Sequence, residues 1–199
     1  KCVFNMVDKD SGKQITVVVY VDDLLITSAA QAAHDRLSIF LKGEFESITY
    51  SGIVDILDYL GMEISFNRST KCVTVTMSGY TKDILKDFGY LIGTVSTPAL
   101  PDLFAIDTSS IRLAEAERKI LHSTVQKLLY LTKRTRPDIL TPVAFLTTRV
   151  LEAAAEDRVK LERVIKYLRG TIDLGICFSS TGDLESFIDA SFGVHRDGK

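Results

Sequence analysis

The chain has 199 residues, 46% of them hydrophobic and 25% charged, with a formal net charge of −2. That composition supplies ample apolar material for a core and excludes a disordered tail or a strongly basic nucleic-acid-binding peptide. No apolar run approaches the roughly 20 residues that cross a bilayer, and Lys1-Cys2-Val3-Phe4-Asn5 offers neither a signal core nor an initiator Met, so an intracellular, unsecreted piece of a longer chain is expected. Cys2, Cys72 and Cys177 are odd in number, far apart and without Cys-x-x-Cys spacing, which reads as reduced core residues and gives no zinc site.

In chain order, Cys2 to Val7 is a short apolar stretch, Asp8 to Lys13 a turn cluster, and Ile15 to Tyr20 a β-branched strand, so the two stretches are expected to form a hairpin. The turn is not a calcium loop. Gly12 falls at the fifth position instead of the sixth, and Val19 stands twelfth where a bidentate Glu is needed. Leu24 to Thr27 is a second strand, which leaves Asp22 and Asp23 at the bend between two apolar runs. Ala33, Leu37, Phe40 and Leu41 then recur at helical spacing, predicting a helix from Ala29 to about Lys42 laid on the sheet. Asp55 and Asp58 read as turn residues of a loop. Leu60, Met62, Ile64 and Phe66, then Val73, Val75 and Met77, alternate as a hairpin around Asn67 to Lys71, with Gly61 inside its first strand.

From Ser78 the pattern turns helical, with Tyr80, Ile84, Leu85 and Phe88 on one stripe and Gly89 as the stop. Ser96 to Ser110, with Pro98 and Pro101, reads as a linker. Three helices follow. Leu121, Val125, Leu128, Leu129 and Thr132 mark the first; Arg136-Pro137-Asp138 ends it, and the second runs from Pro142 to about Glu152. In the third, Leu161, Val164, Ile165 and Leu168 form the packed stripe, while Lys160, Arg163, Lys166 and Arg169 lie largely off it. Residues 119–169 hold 11 Lys and Arg against 5 Asp and Glu, a local +6 that leaves −8 for the remainder, and charge of that sign suits a phosphate-facing surface as well as ordinary solvated helix faces. After Gly170 the period returns to two through Leu174, Ile176 and Phe178, which predicts a new sheet running towards Asp189.

Adjacent hard carboxylates at a fixed bend suit Mg²⁺ (or Mn²⁺), which keeps several waters and takes one or two protein oxygens together with substrate phosphates, so phosphoryl or nucleotidyl transfer is the chemistry indicated. A two-metal mechanism needs a further carboxylate from a neighbouring strand, and no predicted strand brings one; Asp8 and Asp10 sit at the far end of the hairpin. His34, His122 and His195 are isolated, with no Ser or Cys in a nucleophile setting, so hydrolytic triad chemistry has no support.

Tyr20-Val21-Asp22-Asp23-Leu24-Leu25-Ile26 resembles the catalytic hairpin of reverse transcriptases. Six further blocks narrow the resemblance to the Ty1/copia retrotransposon type: Tyr59 to Ile64, Tyr80 to Gly89, Ser96-Thr97-Pro98, Leu128 to Leu131, Thr135 to Ile139, and Tyr167 to Thr171. The resemblance implies an α+β chain in three parts: residues 1–78 as the C-terminal part of a polymerase palm with a primer-grip hairpin, 79–170 as a helical thumb, and 171–199 as the beginning of an RNase H domain. It implies Asp22 and Asp23 as metal-binding catalytic acids, and Tyr20, Val21, Tyr59, Leu60 and Gly61 near nucleotide and primer. It further implies Lys160, Arg163, Lys166 and Arg169 on the nucleic-acid backbone, and Asp189 as a metal carboxylate of an incomplete RNase H site, where Ser191 replaces a second acid. Implied partners are a template with primer, dNTP and the rest of a retroelement polyprotein, in a cytoplasmic virus-like particle or the nucleus, with no membrane. The fragment alone is expected to be inactive. The alternative is a catalytically dead or co-opted remnant that only binds nucleic acid.

Overall fold

The computed structural model describes residues 2–52, 54–89 and 91–179, and the chain divides into two compact units, Lys1–Leu60 and Gly61–Lys199. The class is α+β, as expected.

In the first unit, β2 (Gln14–Tyr20) runs antiparallel between β1 (Val3–Val7) and β3 (Asp23–Ser28). Antiparallel partners point to the same side, so Ile15, Val17 and Val19 share a face with Phe4 and Met6 of β1 and with Leu24 and Ile26 of β3. Helix α1 (Gln31–Glu44) lies against β3 and buries Ala33 and His34. Phe40, expected on the packed stripe, is 59% exposed beside an exposed Ile39, because the buried residues of α1 all lie in its first turns. Asp8 ties the helix to the β1–β2 turn: its carboxylate accepts from Ser11 N (2.9 Å) and Ser11 Oγ (2.5 Å) and pairs with Arg36 of α1, which also reaches Asp10 at 3.2 Å. These bonds, led by the Ser11 hydroxyl, hold the Asp8 carboxyl down at about 2.

A short strand that the sequence pattern does not announce, β4 (Ile56–Tyr59), ends this unit, and Asp58 lies on it instead of in a loop. Leu60 and Gly61 follow with φ of +52° and +75°, so Gly61 is a turn residue rather than the interior of a strand. An added Cβ there would meet nothing nearer than Met77 Cε at 4.0 Å. Gly61 is therefore needed for its left-handed backbone and not for close approach.

In the second unit, β6 (Cys72–Thr76) pairs antiparallel with β5 (Met62–Asn67), setting Ile64 opposite Val75 and Phe66 opposite Val73. Helix α2 (Ser78–Phe88) stops at Gly89, φ +97°, and the helices α3 (Glu115–Thr132), α4 (Leu140–Arg149) and α5 (Ala155–Gly170) form the core. A single 3₁₀ turn, Pro137–Ile139, joins α3 to α4. Val125, Leu128, Leu131, Val143, Leu146, Val164, Ile165 and Leu168 are completely buried, each stabilising by roughly 1.5–3 kcal/mol. Met77 belongs to this core and Met62 packs on it, so the β5–β6 hairpin is part of the second unit.

Two expectations fail here. Residues 96–110 are no linker: Leu103 is buried, Phe104 meets Phe145 edge-to-face at 5.7 Å, and Asp107 N donates to Glu156 Oε1 at 3.0 Å, so the segment is a strap along α5. Nor does a new sheet start after α5. Strand β7 (Ile176–Ser179) joins the β5–β6 hairpin, with Ile176 opposite Val75 and Phe178 opposite Val73. Gly175 makes the join possible, since a Cβ on it would lie 2.2 Å from the Val75 carbonyl oxygen. The later part of that expectation, Asp189 and Ser191 included, lies outside the described residues.

Candidate catalytic hairpin and nucleic-acid interface

Tyr20 and Asp23 are partners across the β2–β3 ladder, which leaves Val21 and Asp22 as a two-residue loop. Such loops require a positive φ at the first central position or at both, a place for Gly, Asn or Asp. Here a β-branched residue occupies it: Val21 has φ +51° and is 81% exposed. A conformation of that kind costs of order 1–3 kcal/mol, and strain held at an exposed tip beside two acids marks a candidate site. Asp22 and Asp23 are both exposed, and among the described residues neither is paired with a cation. Their four oxygens are hard acceptors open to solvent, which fits Mg²⁺ or Mn²⁺. No group of three His, Cys, Asp or Glu close enough to hold a metal exists among the described residues, so no third acid stands with this pair.

Tyr20 is 57% exposed and shares a sheet face with Asp23. Tyr59, by contrast, is buried, and its hydroxyl finds no hydrogen-bond partner among the described residues. Burial, with the nearby Asp23 charge adding to it, pushes its phenol above the ordinary tyrosine value. The structure thus sets Tyr59 near Asp23 but away from solvent, while Leu60 and Gly61 form the turn that follows.

Two of the four α5 cations are bonded to the 96–110 segment. Lys160 Nζ donates to the Ala105 carbonyl (2.5 Å), lies 3.7 Å from Glu156 and sits 4.8 Å over the Phe145 ring. Arg163 donates to Thr97 Oγ1 at 2.8 Å. Both therefore hold the strap, and all four cations are half-buried.

An exposed cationic and aromatic face lies on α3, opposite its apolar stripe. Lys119, His122, Gln126 and Tyr130 line its outer side, and Lys133 and Arg134 follow at its C-terminal end. The Arg134 guanidinium stands 3.6 Å from the Tyr130 ring centre, and Tyr80 of α2 meets Tyr130 edge-on at 5.3 Å. Lys127 bridges to Asp87 of α2 at 2.6 Å. Partly exposed aromatic rings beside cations offer stacking surface together with phosphate contacts. The signal is present in the sequence as His122 and Gln126 between the apolar positions and as Tyr130, Lys133 and Arg134 after Leu128.

A second feature joins two of the sequence blocks. Arg136 is the largest fully buried side chain, 1% exposed. It bonds both carboxylate oxygens of Asp138 (2.8–3.3 Å), the Thr171 carbonyl (2.8 Å) and Thr171 Oγ1 (2.7 Å), with the Tyr167 ring 5.5 Å away. Burial raises the Asp138 carboxyl, but the bonds from Arg136 and Tyr167 outweigh it and leave it below the usual carboxylate range. The Thr135-Arg136-Pro137-Asp138 and Tyr167-Leu168-Arg169-Gly170-Thr171 blocks are thus one interlock, which fixes the end of α5 to the α3–α4 turn.

No family model and no solved structure matches the chain. Among curated proteins it is similar to a Saccharomyces cerevisiae protein whose name is "Putative transposon Ty5-1 protein", 27% identical over 190 residues, covering 94% of this chain and 60% of that protein. It is also similar to an uncharacterized mitochondrial protein of Arabidopsis thaliana, 28% identical over 179 residues, covering 88% of this chain and 71% of that one. No helix among the described residues is long and apolar enough to cross a membrane.

Proposed function

We propose that the chain is a retrotransposon-derived segment of an RNA-directed DNA polymerase of the Ty1/copia type, acting on a template with primer and dNTP. The observation that carries this reading is the pair of exposed carboxylates, Asp22 and Asp23, on a hairpin tip held under backbone strain at Val21. The similarity to a transposon protein supports it.

In this reading Asp22 and Asp23 hold Mg²⁺ or Mn²⁺, which supplies positive charge where negative charge develops on the transferring phosphoryl group. Strands β2 and β3 fix the two carboxylates relative to each other, so little reorganisation is needed. Tyr20, on the Asp23 face, borders the nucleotide. The α3 face, Tyr130 with Lys133 and Arg134, tracks the primer-template backbone without reading its sequence, and Lys166 and Arg169 add to the positive field. Asp189 is the first acid of a following RNase H region. Two carboxylates alone do not complete a two-metal site, and the 199-residue chain by itself is expected to give no primer extension.

Binding tests the reading directly. With about four phosphates neutralised, affinity for an RNA–DNA primer-template falls about 10²-fold between 50 and 200 mM salt. Replacing Lys133 and Arg134 with alanine lowers the slope of log K against log salt by about 1.8. Absence of duplex binding at low salt, or an unchanged slope in the double variant, contradicts the assignment.

A further inference from the structure

Among the described residues, β1 is an edge strand of the three-stranded sheet. Val3–Val7 reads Val-Phe-Asn-Met-Val, without charge or proline, pairs with β2 in unbroken register, and exposes all five residues. Folded proteins normally blunt such edges, because outward N–H and C=O groups are a template for another strand. Which groups point outward follows from the ladder. Val19 N donates to the Cys2 carbonyl and Asp8 N to the Lys13 carbonyl, each at 2.8 Å, so the even-numbered residues bond towards β2 and Val3, Asn5 and Val7 turn their backbone groups outward. The strand is also its own complement. An antiparallel copy centred on Asn5 sets Val3 against Val7, Phe4 against Met6 and Asn5 against Asn5, apolar facing apolar with no like charges opposed. That is the arrangement of a two-fold, self-complementary contact.

We propose that β1 is a homodimerisation edge, at which two copies of this chain pair their β1 strands around Asn5 and join their three-stranded sheets. The half-exposed Phe4 and Met6, on the apolar sheet face, extend the contact beyond the backbone. A five-residue edge falls short of the roughly 1,200–2,000 Å² of stable complexes, so a weak, reversible dimer is expected.

Asn5 provides the test, because its Oδ1 accepts from Gln14 Nε2 (3.2 Å) and Thr16 Oγ1 (2.8 Å) within its own sheet. Asn5→Asp keeps that acceptor while opposing two carboxylates across the axis. Sedimentation equilibrium of the 22.1-kDa chain is expected to show twice that mass at about 100 μM. Asn5→Asp, with an unchanged far-UV spectrum, is expected to weaken the association by up to about 5-fold at neutral pH. Phe4→Lys acts in the same direction without touching the Asn5 bonds. A wild-type chain that is monomeric at that concentration, or a dimer that both substitutions leave intact, overturns the proposal.

Discussion

Replacing Arg136 with alanine removes a buried guanidinium that bonds Asp138, the Thr171 carbonyl and the Thr171 hydroxyl at once. The substitution leaves the Thr171 carbonyl without its donor, Asp138 without its counter-charge and a void beneath Tyr167. Removing one partner of a buried ion pair costs about 3–5 kcal/mol; because Asp138 keeps some solvent contact, the lower end, about 3 kcal/mol, applies. With a urea m-value near 2 kcal/mol/M, the helical transition followed by circular dichroism moves down by about 1.5 M. Arg136→Lys recovers less than half of this, since an ammonium cannot fork between Asp138 and Thr171. The pH dependence has a fixed sign. Asp138 is depressed in the folded state, so the pair stabilises above the ordinary carboxylate value and the contribution is lost as pH falls through the depressed one. The difference between wild type and Arg136→Ala therefore narrows in acid. A loss under about 1 kcal/mol, or a lysine variant as stable as wild type, refutes the interlock.

Other consequences are local. Val21→Gly relieves the left-handed strain and raises the stability of the first unit by about 1 kcal/mol, read by amide exchange in β2 and β3. Gly175→Ala drives a methyl into the Val75 carbonyl and is expected to cost at least about 2 kcal/mol, with loss of exchange protection in β7 before the helices. Asp8, at about 2 in the folded state against 3.8 ordinarily, stabilises above 3.8, and that contribution disappears as pH falls towards 2. Asp8→Asn should flatten the acid limb of an α1 unfolding curve in that window, and an unchanged limb would remove Asp8 from the account.

Elements with strong periodicity were legible in the sequence. The Leu161, Val164, Ile165 and Leu168 stripe and the β2–β3 hairpin were read correctly, because each signal lies within one element and its burial follows from spacing alone. What escaped depends on tertiary partners. The strap at 96–110 has the proline and serine content of a linker, and only contacts with Phe145, Glu156 and Arg163 make it structure. Strand β7 has a correct period, but nothing local says that its partner is β6, 100 residues earlier. Lys160 and Arg163 read as a basic face, whereas their acceptors, the Ala105 carbonyl and Thr97, lie more than 50 residues away. At the site, the adjacency of Asp22 and Asp23 was plain from sequence. The positive φ of Val21 was not, since valine there runs against turn preference.

The central claim is that Asp22 and Asp23 form a divalent-metal site, and paramagnetic relaxation tests it most directly. Mn²⁺ added to the 199-residue chain should first broaden the backbone amide signals of Tyr20 to Leu24. The Asp22→Asn, Asp23→Asn double variant should lose that effect while keeping the β2–β3 cross-strand contacts. Broadening that is absent from the hairpin, or that survives in the double variant, would contradict the account.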